Sequence, residues 1–151
     1  MSKEFYWISL KVILKNEEGK ILGLKGVPTG TLSGYFDLPG GRVDDNEFGI
    51  PFDQIINREI AEEIGDVKFK ILSPIPVSYG RSMIDKRHTD SKEKDVPVLY
   101  LFFEAEYLGG EINNSEEHTG WEWLDIRNIE LDRYFKTGIL EGIKMYLNNK
   151  K

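Results

Sequence analysis

Three glutamates, Glu59, Glu62 and Glu63, fall inside the run R-E-I-A-E-E-I-G, downstream of the turn Leu38-Pro39-Gly40-Gly41. At 100° per residue, Glu59 and Glu63 lie one helical turn apart and Glu62 three positions from Glu59, so a helix would put all three carboxylates on one face. Like charges at this spacing cost a helix about 0.2–0.5 kcal/mol a pair. They also sit near the negative end of the helix dipole, where cations are preferred. A bound divalent cation turns both penalties into attraction, and carboxylate, carbonyl and water oxygens are the hard ligands that Mg²⁺ or Mn²⁺ takes. For E-x-x-E-E alone, a solvated acidic face is the alternative. The adjacent glycines upstream weigh against it, because they let a backbone come close to an ion or a phosphate.

The element that must carry these carboxylates is a helix over Pro51 to Ile64, fourteen residues and roughly 21 Å long. Pro51 suits its first turn, where a missing N–H has no partner to lose. Gly65 suits the position just past its end. Ile56, Ile60 and Ile64 form the apolar stripe, with Arg58 on the flank of the glutamate face. Phe52 and Ile55 fall on the glutamate side nearer the N-terminus, which predicts a wider covered arc over the first turns.

Together these residues resemble the signature of the Nudix hydrolases: a Gly, five residues, a Glu, seven residues, then R-E-U-x-E-E-x-G-U, with U a bulky aliphatic. Gly41 and Glu47 match the first part; Arg58, Glu59, Ile60, Glu62, Glu63 and Gly65 match the second. Ten residues, not seven, separate Glu47 from Arg58. Strict counting back from Arg58 would place the Gly and Glu slots on Asp44 and Ile50, so three extra residues in the Glu47–Pro51 link explain the match better. The last aliphatic slot holds Asp66, and Val67 serves instead. The resemblance implies an α–β–α sandwich around a mixed sheet and metal-dependent hydrolysis of a nucleoside diphosphate linked to another group X. It also implies metal ligands at the Gly40 carbonyl, Glu59, Glu62 and Glu63, and a general base at Glu59 or Glu62. Glu117, in the loop before the last strand, is implied as a further ligand or base, with Glu116 second. Arg42 would reach the phosphates, and Arg58 would orient the carboxylates through a bidentate ion pair. A nucleotide-sensing module without catalysis is the rival, and a structural metal-binding domain a third reading. Subfamily markers beyond the motif, a proline or a tyrosine, are not matched, since Arg81, Ser82 and Met83 stand there. Base, sugar and phosphate number stay open.

With 151 residues, one domain over 1–151 is expected, with a substantial core. The net charge of −6 disfavours nucleic acid and anionic membranes, and it means that a polyphosphate substrate would meet bound metal. Without cysteine there are no disulfides, thiolate nucleophiles or cysteine–zinc sites. The two histidines, His88 and His118, lie far apart in sequence, which argues against a histidine-rich metal site. The N-terminus does not read as a signal peptide, and the longest apolar run, Val98–Phe103, is too short to span a bilayer. A small nucleotide is the expected partner and the cytoplasm the default location; a homodimer is left open.

In chain order, Phe5–Leu14 reads as a strand, Asn16–Gly19 as a turn and Lys20–Leu24 as its hairpin partner. A loop over Val27–Gly34 and a short strand at Phe36–Leu38 lead to the glycine turn. After the helix, Lys68–Val77 reads as an edge strand because of Pro74 and Pro76. Gly80–Asp95 reads as a polar surface loop or, more sharply, a substrate lid in which Arg81 and its basic neighbours touch phosphate. Val96–Tyr107 is the strongest strand, with a short partner at Glu111-Ile112. A strand at Trp121–Leu124 and one helix over Leu131–Leu147, with its apolar stripe on Phe135, Ile139, Ile143 and Leu147, close the chain, which reads as α/β layers around a mixed sheet.

Overall fold

Alternation along the first apolar run sets the architecture. The computed structural model describes residues 1–84 and 95–150, and in its first strand, β1 (Trp7–Lys15), Leu10, Val12 and Leu14 enter one core while Ile13 enters another. Burial on both faces makes β1 a central strand. It pairs in parallel with β7 (Val96–Gly109), from Trp7 opposite Val98 to Lys15 opposite Glu106. The far edge of β7 carries β5 (Lys68–Ile71) and β6 (Ser78–Ile84), both antiparallel. On the other side, β1 meets β2 (Ile21–Gly26) through a tight turn and β4 (Gly40–Arg42) through Ser9–Lys11. β2 in turn pairs with β3 (Phe36–Asp37) and β8 (His118–Leu124). The β1–β2 turn is held by the Asn16 side chain, which accepts from the Glu18 and Lys20 backbone N–H groups, while Gly19 takes φ 78°.

One helix covers each face of this mixed sheet. Ile55, Ile56, Ile60 and Ile64 of α1 (Phe52–Ile64) pack on Leu10, Val12, Leu14, Phe103 and Ala105. On the other face Ile139, Ile143 and Tyr146 of the final helix join Phe135, Phe102 and Leu124. The expected α–β–α sandwich is therefore the architecture. Among the described residues, no helix is long and apolar enough to cross a membrane.

Four expectations need correction. The strand after α1 ends at Ile71, not Val77. Pro74 and Pro76 carry the chain off the sheet between Leu72, whose N–H reaches Glu104 O, and Val77, whose N–H reaches Phe102 O. Pairing then resumes, so residues 80–84 lie in β6 instead of a loop; residues 85–94 of the expected lid lie outside the described residues. Glu111-Ile112 forms no strand. The C-terminal helix is two: α2 (Leu131–Tyr134) and α3 (Thr137–Asn149). Phe135 and Lys136 between them are extended, and Phe135 is driven fully into the core, so the i+4 stripe that suggested a continuous helix came partly from a buried wedge.

Candidate active site

α1 delivers its glutamates because its two ends are fixed. Pro51 stands just before the first turn, and Gly65, at φ 90°, ends the helix with its N–H on Ala61 O. The last carbonyls, orphaned at any helix end, are taken by a distant segment: Asn113 N–H donates to Ile64 O and Ser115 N–H to Glu63 O. These bonds place Glu117 and His118 beside Glu63.

The glycine turn arrives from the other side. The Gly40 N–H donates to Glu63 Oε1 at 3.2 Å. A Cβ on Gly41 would fall 2.3 Å from Glu59 Oε2, and one on Gly40, where φ is 131°, 1.9 Å from Leu10 O. At Gly40 only bare backbone fits, and a side chain at Gly41 would have to displace the Glu59 carboxylate. Burial raises the Glu59 carboxyl above its usual range against the pull of Arg58, and it pushes Glu63 up to about 8.

Arg58 gathers the acidic groups of the flank. Its Nε and Nη2 grip Glu47 at 3.1 and 2.8 Å, Nη1 meets Glu62 at 3.2 Å and Nη2 meets Glu59 Oε1 at 3.1 Å. Glu47 is buried, accepts from the Asp44 N–H at 2.9 Å, and is held below the usual carboxylate range by that bond and by Arg58. Phe48, Gly49 and Ile50, the three extra residues, turn outwards; Phe48 is almost fully exposed and Gly49 faces open space. A loop insertion thus leaves Glu47 opposite Arg58.

Behind Glu63 runs a buried polar chain. Lys11 Nζ lies 3.0 Å from Asp37 Oδ1, His118 Nε2 3.6 Å from Asp37 Oδ2, and His118 Nδ1 3.9 Å from Glu63 Oε2. Burial opposes both charges of the Lys11–Asp37 pair. Their mutual attraction nevertheless raises Lys11 and lowers Asp37, with Glu63 also raising Lys11 and His118 lowering Asp37. Glu63 Oε2 and His118 Nδ1 are buried with no hydrogen-bond partner. Such orphaned atoms call for a partner, of which a cation is one, and one ligand atom from each of Glu63, Glu117 and His118 can lie within 4.8 Å of the others. The donor set fits a divalent ion.

The family profile for the NUDIX domain matches residues 6–141. The chain belongs to this family. As a Nudix hydrolase it acts on a pyrophosphate bond. Among its relatives, the nucleoside triphosphatase NudI of Klebsiella pneumoniae (strain 342) is 24% identical over 123 residues, 80% of this chain and 84% of that protein. Similar solved structures include the MutT protein from Methanosarcina mazei Go1, with a TM-score of 0.67 at 23% identity over the full length of both chains. The E. coli ORF135 protein aligns with a TM-score of 0.71 at 15% identity, over 97% of this chain and 92% of that one. An ADP-ribose pyrophosphatase from Streptococcus suis 89-1591 aligns with 0.63 at 19%, over 97% and 93%. At these identities the structural likeness is one of fold.

Within this Nudix frame, Gly40, Gly41, Glu59 and Glu63 meet directly, while Glu62 stays largely exposed on the Arg58 side. Glu117 stands exposed at the rim beside His118. Gly65 ends the helix; Asp66 is exposed and Val67 buried, as the shifted aliphatic slot requires. Arg42 is exposed, its guanidinium 4.8 Å from the Trp7 ring centre, at a groove of about 410 Å³ shared with Val43, Asp44, Asp45 and Asn46. Arg81 sits in β6, 3.4 Å from Glu141 of α3 and over the Tyr79 ring, and not in a phosphate-facing loop. Sequence reasoning missed Lys11, Asp37 and His118. The one available signal was a charge set between apolar neighbours in two strands: Lys11 between Leu10 and Val12, and Asp37 between Phe36 and Leu38.

Proposed function

We propose that this chain hydrolyses a nucleoside diphosphate-X or nucleoside triphosphate by attack of water on phosphorus, with Mg²⁺ or Mn²⁺ as cofactor. The observation that carries this reading is Glu63, buried with Oε2 unpartnered, against the glycine turn that also receives Glu59. The Gly40 carbonyl, Glu59, Glu62, Glu63 and Glu117 would hold the ion. When bound, it supplies charge neutralisation for the diphosphate and a more acidic water. Glu59 is the better general base of the two candidates: burial raises its proton affinity, whereas Glu62 is exposed and engaged by Arg58. Arg58, locked by Glu47, keeps Glu59 and Glu62 aimed without touching substrate. Arg42, free at the rim of the adjacent groove apart from its stacking on Trp7, is the phosphate-binding cation of this scheme; Arg81 is engaged elsewhere. The names of the relatives, a nucleoside triphosphatase and an ADP-ribose pyrophosphatase, bracket the substrate class. Product release from a panel of nucleoside triphosphates and nucleoside diphosphate derivatives tests the proposal. At least one should be cleaved at a phosphoanhydride bond; tight binding of nucleotides with no turnover of any would favour a sensor.

A further inference from the structure

Two polar atoms face one another across a buried gap at the end of α1. Glu63 Oε2 and His118 Nδ1 are 3.9 Å apart, beyond hydrogen-bond length, and neither has another partner. The opposite ring nitrogen, Nε2, points towards the Asp37 carboxylate at 3.6 Å. With Asp37 on the Nε2 side of the ring, Nδ1 is the nitrogen turned towards Glu63. Asp37 is itself neutralised by Lys11 at 3.0 Å, so the Lys11–Asp37 pair orients the ring and adds no net positive charge. Glu117 completes a triangle of donors with Glu63 and His118.

We infer that His118 Nδ1 is a nitrogen ligand to the divalent ion held by Glu63 and Glu117, and that it biases the site towards first-row transition dications such as Mn²⁺ and Co²⁺ over Mg²⁺. The inference rests on the proposal that this cluster binds metal, and extends it. Mg²⁺ takes oxygen ligands and dehydrates reluctantly, whereas imidazole suits the transition series. An all-oxygen site would leave the orphaned Nδ1 with no purpose. The contrary arrangement is a proton held between Glu63 Oε2 and His118 Nδ1, with the metal bound by carboxylates alone.

Nucleotide-free protein loaded with Mn²⁺ should show ¹⁴N coupling by pulsed electron paramagnetic resonance. The coupling should survive in His88→Gln and vanish in His118→Gln. In calorimetric titrations His118→Gln should lose about tenfold or more in Co²⁺ affinity while Mg²⁺ affinity stays within about threefold. Bound Mn²⁺ without nitrogen coupling in the unaltered protein would overturn this inference and leave the carboxylate site standing, even if the variant failed to fold. Absence of any bound dication would overturn both.

Discussion

Glu63 carries a cost that Glu62 does not. Its carboxyl is buried, beside other acids, and titrates at about 8 instead of 4.5. A raised acid pKa means that the folded state holds a proton the unfolded chain has released. Metal-free protein therefore loses stability as pH rises from about 4.5 towards 8, and above that the full penalty is present. Glu63→Gln should flatten this slope in urea denaturation of the metal-free protein, while lowering kcat by roughly 10²-fold or more. Glu62→Gln should cost a similar factor in kcat. Near-normal turnover in Glu63→Gln together with a large loss of metal-free stability would mark that residue as structural. At this scale the sequence displayed the glutamates and glycines because they sit in one continuous stretch whose helical spacing can be counted. Lys11, Asp37 and His118 come from three separate strands, and only the sheet in which β1, β3 and β8 each pair with β2 brings them together. No local pattern encodes that meeting.

Among the elements, the link between Glu47 and α1 is the most informative departure from the family spacing. Phe48, Gly49 and Ile50 are exposed and carry no core contact, while Glu47 keeps its two-pronged hold on Arg58. Deleting 48–50 should leave the fold and metal-dependent turnover in place, with any change confined to substrate preference. An extra helical turn would have behaved otherwise: three residues rotate a helix by about 300°, which would re-aim everything upstream of the deletion. A deletion variant that folds but neither binds metal nor turns over would contradict this account of the link. Gly49 and Pro51 made the loop legible beforehand, as both disfavour a helix interior. The strand β6 was not legible. Its outward positions, Arg81 and Met83, and its glycine and serines read as loop, and only β7 alongside makes them a strand. Ser78, Gly80 and Ser82 are small because α3 presses on them; a Cβ at Gly80 would lie 1.9 Å from Gly138 O.

Across the whole molecule, the sandwich keeps the glutamate-bearing helix α1 on one face and anchors the other face with charge. Glu104, buried in β7, accepts from the Tyr146 hydroxyl and from Lys150 at 3.2 Å, with Lys15 at 3.6 Å. Burial alone would raise this acid; the Tyr146 bond and Lys150 hold it below 4.5, and burial with Glu104 raises Tyr146. A lowered acid pKa contributes stability above about 4.5 that is lost as pH falls through the folded value. Glu104→Gln should thus cost about 1–3 kcal/mol at pH 7 and progressively less as the pH falls below about 4.5, read from urea midpoints, with turnover little changed. The sandwich was legible through the resemblance to the Nudix signature and not from the strands themselves, and the break before α3 was not legible, because burial of Phe135 imitates a helical stripe.

The central claim is that an acidic cluster on α1 holds the ion that hydrolysis needs. Turnover of the best substrate should be abolished by excess chelator and restored by added Mg²⁺ or Mn²⁺ in the unaltered protein, with Glu63→Gln restored to no more than about one hundredth of that rate. Full turnover in excess chelator, or equal restoration of the variant, would contradict it.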